Sequence, residues 1–179
     1  QNRPARGGAT VIRLRRLAPP DVLRRRRTLL RFIRRHGERR ITAAALRRIA
    51  RTAPEAWLAP GTAVYVALEP RPGEGSGGRL IGVLAALDYG LAASLLVVHR
   101  SRRNRGLGRA LLAAALRDLG KLYGRIRADN GPSLAAARAA GLTPLLVAPP
   151  AADDLPPTVI VGGGRVDPEE ARRCAISVF

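Results

Sequence analysis

The stretch from Ala92 to Gly120 constrains the fold more than any other. A β-rich run ending in Leu96-Val97-Val98 meets a basic, glycine-bearing turn, Arg103-Asn104-Arg105-Gly106-Leu107-Gly108. Strong helix formers then continue from Leu107 to Leu119 and stop at Gly120. A strand, a tight turn and a helix in that order predict an α/β chain organised around the turn. Gly106 and Gly108 are small where backbone must come close to a ligand. The first turn of the following helix offers unpaired N–H groups and the positive end of a dipole, which is how backbone binds phosphate. Arg102, Arg103, Arg105 and Arg109 crowd the same turn and add charge-assisted contacts. The third glycine and the downstream acid of a dinucleotide fingerprint are missing, and without Gly-Lys-Ser/Thr the turn is not a nucleoside triphosphatase loop.

The rest of the chain extends the α/β pattern on both sides. Ala9–Leu17 alternates as a half-exposed strand; Pro19-Pro20 ends it, and Asp21 stands where a helix cap belongs. Up to His36, Val22, Leu23, Leu29, Leu30, Phe32 and Ile33 recur at helical spacing, with arginines on a roughly opposite face, and Gly37 ends the helix. A second helix is predicted from a Thr42 cap to about Thr52. Thr62–Leu68 and Arg79–Leu87 read as a hairpin joined by the flexible Arg71–Gly78 loop, and Asp88-Tyr89-Gly90 turns into the strand Ala92–Val98. Strands at Gly124–Ala128, Thr143–Val147 and Thr158–Val161 and a short helix at Ser133–Ala140 complete the pattern. A helical turn is expected after Asp167, but the sequence does not place residues 165–179.

Composition bounds the class. With 179 residues and 46% apolar content the chain can bury one core, yet only 3% is aromatic, so aliphatic side chains and alanine must build it. No apolar run is long enough to span a membrane, and no signal-peptide centre is visible. Gln1–Gly8 reads as a loose tail or tag remnant, and the absence of methionine suggests that the native start has been removed, leaving one domain over 9–179. Cys174 stands alone and suits a reducing, cytoplasmic setting. The net charge is +19, and residues 1–51 hold seventeen arginines against Asp21 and Glu38. A GC-rich codon bias explains arginine in place of lysine but not the excess, which favours acidic partners.

Two blocks carry a family resemblance. Arg103-x-x-Gly106-x-Gly108, after Leu96-Val97-Val98 and before Ala110-Leu111-Leu112, resembles motif A of the Gcn5-related N-acetyltransferases, the GNAT superfamily. Asn130, Ser133, Ala136, Ala137 and Gly141-Leu142 stand at the spacing of its motif B. The resemblance implies one GNAT-like α/β domain: a mixed, mostly antiparallel central sheet of six to seven strands flanked by about four helices. It implies acetyl-CoA, or another acyl-CoA, as co-substrate, with no metal. The amides of Asn104, Arg105, Gly106, Leu107 and Gly108, with Arg103 and Arg109 beside them, would hold the coenzyme A diphosphate. Backbone of Leu96 and Val98 would pair with the pantetheine arm, and Asn130 would lie near the thiol end, although helix capping explains Asn130 equally well.

The resemblance is incomplete where chemistry is needed. Ala137 stands at the position of the family's usual proton-donating tyrosine; Tyr123, Tyr89, Ser133 and Cys174 are the alternatives. The strand 92–98 holds no acid, so Asp88 and His99, with Glu69 beyond them, are the nearby candidates for a base. Acyl transfer to an amine, on an unknown and preferably acidic acceptor, is the expected function. A non-catalytic acyl-CoA sensor or scaffold is one alternative. A nucleic-acid- or ribosome-associated protein is another; it is less favoured because the basic segment lacks interleaved aromatics. Monomer and homodimer are both open.

Overall fold

A computed structural model of the chain describes residues 11–38, 41, 43–71, 77–150 and 155–176. The expectations for 1–8, for the Thr42 cap, for residues 72–76 of the flexible loop and for 177–179 lie outside them. Strands β1 (Arg13–Arg16), β2 (Ala63–Glu69), β3 (Arg79–Leu87) and β4 (Ala93–Val98) form one antiparallel sheet in sequence order. A second antiparallel sheet has the order β5 (Lys121–Arg127), β7 (Thr158–Gly164), β6 (Thr143–Ala148). The helices are α1 (Pro19–His36), α2 (Ala43–Arg51), α3 (Leu107–Leu119), α4 (Gly131–Ala139) and α5 (Pro168–Ile176). The seven strands meet the expected number, but they divide into two sheets. A fifth helix, α5, comes from the tail that the sequence left unplaced.

Local chemistry explains the elements and two differences from expectation. The α1 helix begins at Pro19, not after an Asp21 cap: the two prolines hold φ near its helical value and occupy the first positions, where their missing N–H costs nothing. Asp21 lies in the first turn, its carboxylate accepting from Arg24 at 2.9 Å and from Arg15 of β1 at 3.2 Å, which suits the helix dipole. At the other end the Gly37 N–H donates to the Ile33 carbonyl at 2.7 Å. β1 is an exposed edge strand over its whole length, so its alternation carries no buried face.

Both faces of the first sheet are covered, which is why β2 and β3 read as nearly continuous apolar runs. Val64, Val66, Val83, Ala85, Leu95 and Val97 face Phe32 and Ile33 of α1, Ile49 of α2 and Trp57. Tyr65, Ala67, Ile81 and Leu84 face Leu111 and Ala115 of α3, together with Ala137 of α4. α5 closes the second sheet through Ala171 and Cys174, against Tyr123 and Ile160.

Candidate functional site

No hydrogen-bonded ladder joins β4 to β5 among the described residues. The two sheets are tied at one end only. Gly90, at φ +96°, sits so close to β5 that a Cβ would collide with the Tyr123 carbonyl. The Arg125 guanidinium donates to the Leu91 carbonyl at 2.7 Å and to that of Cys174 at 2.9 Å. Toward Val98 the edge of β4 is left open. Its register decides which groups face the opening. The His99 N–H donates to the Ile81 carbonyl of β3 at 2.8 Å, so Val97 and Leu95 share that orientation while the N–H and C=O of Val98, Leu96 and Ser94 point away from β3.

The basic glycine turn lies at the open end of β4. Asn104 has φ +59° and Gly106 φ +73°, left-handed conformations that asparagine and glycine tolerate best. Gly106 is the N-cap of α3, and Ala110 supplies the first helical amide with a backbone acceptor, the Gly106 carbonyl at 2.9 Å. Among the described residues no backbone acceptor takes the amides of Asn104 to Arg109, so a run of donors converges at the positive end of a 13-residue helix. No protein atom lies within 4 Å of a Cβ built on Gly106. A Cβ on Gly108 would lie 3.4 Å from Leu96 and 3.8 Å from Ala136, in ordinary contact. The space belongs to Gly106, while Gly108 packs α3 against β4 and α4. A diphosphate fits the donor set and the room.

The arginines divide their roles. Arg103 turns back: it donates to Glu38 at 2.9 Å, to the His36 carbonyl at 2.6 Å and to the Val98 carbonyl at 3.4 Å, tying the turn to the end of α1. Arg102 donates twice to Glu69 Oε1, at 2.7 and 2.9 Å. Arg105 and Arg109 are exposed and carry no such bond. Nothing near Glu38 in the chain announces its pairing with Arg103, 65 positions away.

Asn130 caps α4, its side-chain oxygen accepting from the Ser133 N–H at 3.4 Å. Ala137 is buried in the core. Tyr123 is fully buried; its hydroxyl donates to Glu170 at 2.6 Å and accepts from the Asp167 N–H at 2.7 Å, and burial first, then the Glu170 bond, pushes its pKa up to about 12. Burial likewise raises the Cys174 thiol, beneath the second sheet. The Tyr89 ring carries the Lys121 ammonium 4.7 Å from its centroid. Ser133 is the remaining stand-in, half-buried in the first turn of α4.

Asp88 and His99 lie at opposite ends of β4. Asp88 is exposed in a turn with φ +50°, its amide held by the Thr62 hydroxyl at 3.3 Å. His99 Nε2 faces Arg79 at 2.7 Å, and its Nδ1 faces the Ser101 hydroxyl at 2.9 Å. Arg79 can only donate, and the Ser101 N–H donates toward Nδ1 at 3.2 Å, so both ring nitrogens face donors and a second ring proton is opposed. The ring packs on His36, centroids 4.2 Å apart, and Phe32 lies 4.7 Å from His36 and 6.5 Å from His99. Burial, then Arg79 and Arg102, hold the His99 pKa below its ordinary 6.5. Glu69, paired to Arg102, is not free to act as a base. Among the described residues no cluster of His, Cys, Asp or Glu could hold a metal ion, and no helix is long and apolar enough to cross a membrane.

No protein-family profile and no curated protein matches the sequence. Solved structures do match. An acetyltransferase of the GNAT family from Streptococcus pneumoniae superposes with a TM-score of 0.59 at 12% identity, over 86% of this chain and 99% of its own. AAC(6')-Ib, solved in complex with parmomycin and acetyl-CoA, gives 0.53 at 17% identity, over 86% and 93%. The ribosomal-protein-S18-alanine N-acetyltransferase from Escherichia coli gives 0.55 at 12%, over 86% and 94%. The chain therefore has the fold of the GNAT acetyltransferases.

Proposed function

We propose that the protein is an acyl-CoA-dependent N-acyltransferase that passes an acyl group, acetyl in the simplest case, directly to an amine, and that it belongs to the GNAT superfamily by chemistry as well as by fold. One observation carries the reading: a run of amides, Asn104 to Arg109, with no backbone acceptor among the described residues and open space at Gly106, set at the end of a β4 edge that pairs with no other strand there. In this reading those amides take the diphosphate, with Arg105 and Arg109 beside them. The backbone of Leu96 and Val98 pairs with the pantetheine amides as a neighbouring strand would. Acyl-CoA supplies the activated thioester. The amine nitrogen bonds to the acyl carbon as the C–S bond breaks, the thiolate departs, and the amine gives up a proton. Backbone donors on β4 stabilise the oxyanion.

Loss of the tyrosine at Ala137 slows such a reaction and does not forbid it, since general acid assistance is worth about 10²–10⁴-fold. The same alanine supports a second reading, an acyl-CoA-binding protein without turnover, because the hydroxyl of Tyr123 is bonded to Glu170 of α5 and the thiol of Cys174 is buried between α5 and the second sheet. Thermal shift with acetyl-CoA and release of free thiol over an amine panel separate the two. Stabilisation with thiol release supports the transferase, stabilisation alone supports the sensor, and no stabilisation refutes both.

A further inference from the structure

The outer face of α1 is not used by the site just described. Arg24, Arg27, Arg31, Arg34 and Arg35 are all exposed, and their spacing puts them within an arc of about 120° along about 16 Å of helix. Arg47, Arg48 and Arg51 of the neighbouring α2 are exposed too. On this face Arg24 alone has an acidic partner, Asp21, among the described residues. Elsewhere acids stand beside several bases: Arg117 pairs with Asp118, Lys121 with Glu170, Arg127 with Asp129 and Arg172 with Glu169. Codon bias acts along the whole chain, so by itself it does not gather eight exposed arginines about one acid on two neighbouring helices.

We infer that this face docks the phosphate backbone of duplex RNA, independently of acyl transfer. Guanidinium forks suit phosphate oxygens. These arginines stand with no exposed aromatic side chain between them on α1 or α2, which a single strand would need for base stacking. α1 also lies flat. Its opposite side is buried through Val22, Leu29, Phe32 and Ile33; Asp21 ties its start to β1, and Arg103 ties its end to the glycine turn. Held so, it presents a long arginine side with no side chains suited to reading base edges by stacking, and that side can lie across the wide, shallow minor groove of A-form RNA, where shape and backbone are recognised.

The test is fluorescence anisotropy with the full chain and a labelled RNA duplex of about 16 base pairs, the span of a double-stranded RNA site. Binding at about 0.1 M salt is expected, with log affinity falling against log salt at a slope of about −4, near one unit per phosphate contact. Arg27→Gln/Arg31→Gln/Arg34→Gln should weaken binding about tenfold or more and flatten the slope by about 3, whereas the lysine triple at the same positions should keep most of the affinity. Removing the same charge elsewhere, by Arg117→Gln/Arg138→Gln/Arg172→Gln, should change affinity by no more than about twofold. Equal losses from both glutamine triples, no binding at low salt, equal competition by a DNA duplex of the same length, or capture by phosphatidylserine vesicles in preference to RNA would each overturn the inference. The acetyl-CoA thermal shift, measured on every variant, verifies the fold separately and reads the acyl-CoA site without involving α1.

Discussion

Gly106 and Gly108 look alike in the sequence and differ in the structure, so substituting each tests what the turn is for. Gly106 has φ +73° and no protein atom within 4 Å of a built Cβ. In Gly106→Val the Cβ meets no protein atom beyond its chain neighbours, so the main cost is the left-handed backbone, about 1–2 kcal/mol. For a domain of this size each kcal/mol lowers Tm by about 2–4 °C, so a drop of about 2–8 °C is expected. Coenzyme A binding should suffer far more. The branched side chain fills the space beside the free amides; losing two amide–phosphate bonds, at about 1.5–3 kcal/mol each, costs about 100-fold in Kd or more. Gly108→Ala adds a methyl in ordinary contact with Leu96 and Ala136, on the protein side of the turn, and leaves the amide in place. It should be neutral or slightly stabilising, since alanine exceeds glycine in a helix by about 1 kcal/mol, and Kd should move by no more than about threefold. Isothermal titration of both variants with coenzyme A decides. Unchanged affinity in Gly106→Val, or equal losses in the two, would refute the assignment of the diphosphate to this turn.

The paired histidines make stability depend on pH. His36, lowered by burial and then by His99 and Arg35, and His99, lowered by burial and then by Arg79, both titrate below their ordinary 6.5. The unfolded chain thus takes up more protons than the folded one as pH drops below that value, so stability is full above about pH 6.5 and falls on acidification. Tm measured from about pH 7.5 to 5.5 should decline, and His36→Gln/His99→Gln should flatten the decline; an unchanged slope would exclude the pair as its source. Tyr123→Phe strands the Asp167 N–H and one Glu170 contact, and should lower stability by about 1–3 kcal/mol in chemical denaturation. It should leave thiol release intact, whereas a loss of release without loss of coenzyme A binding would make Tyr123 the proton donor after all.

What could be read from the chain was local. The turn, its left-handed Gly106 and the helix behind it follow from neighbouring residues, as do the apolar faces of α1 and α3. The arginines beside the turn show the limit. Arg102 and Arg103 look like phosphate ligands in sequence, yet their partners Glu69, Glu38 and the His36 carbonyl come from 33 to 67 positions away, where no spacing rule reaches. The division into two sheets was equally hidden, because an unpaired β4 edge has the same apolar pattern as a paired one. Gly90 and Arg125 join the start of β4 to β5 by a long-range contact that no local pattern announces. α5 escaped placement because its covered surface, Tyr123 and Ile160, is assembled from two distant strands.

The geometry of β4 also ranks the candidate bases. The strand advances about 3.4 Å per residue, so the five steps from Ala93 to Val98 span about 17 Å. If the diphosphate sits at the glycine turn, beyond Val98, an arm pairing along the open edge carries the thioester toward Ala93. His99 is then at the wrong end, and donors face both of its ring nitrogens, Arg79 at Nε2 and the Ser101 N–H at Nδ1. Glu69 is paired to Arg102. Asp88 lies at the thioester end, exposed, with no side-chain partner among the described residues. Asp88→Asn should therefore lower kcat/KM by about 10²-fold or more with coenzyme A affinity retained, while His99→Gln should change it by no more than about threefold. If His99→Gln lowers kcat/KM to that extent and Asp88→Asn does not, the arm runs along a different path, and the open edge of β4 is not where the acyl group lies.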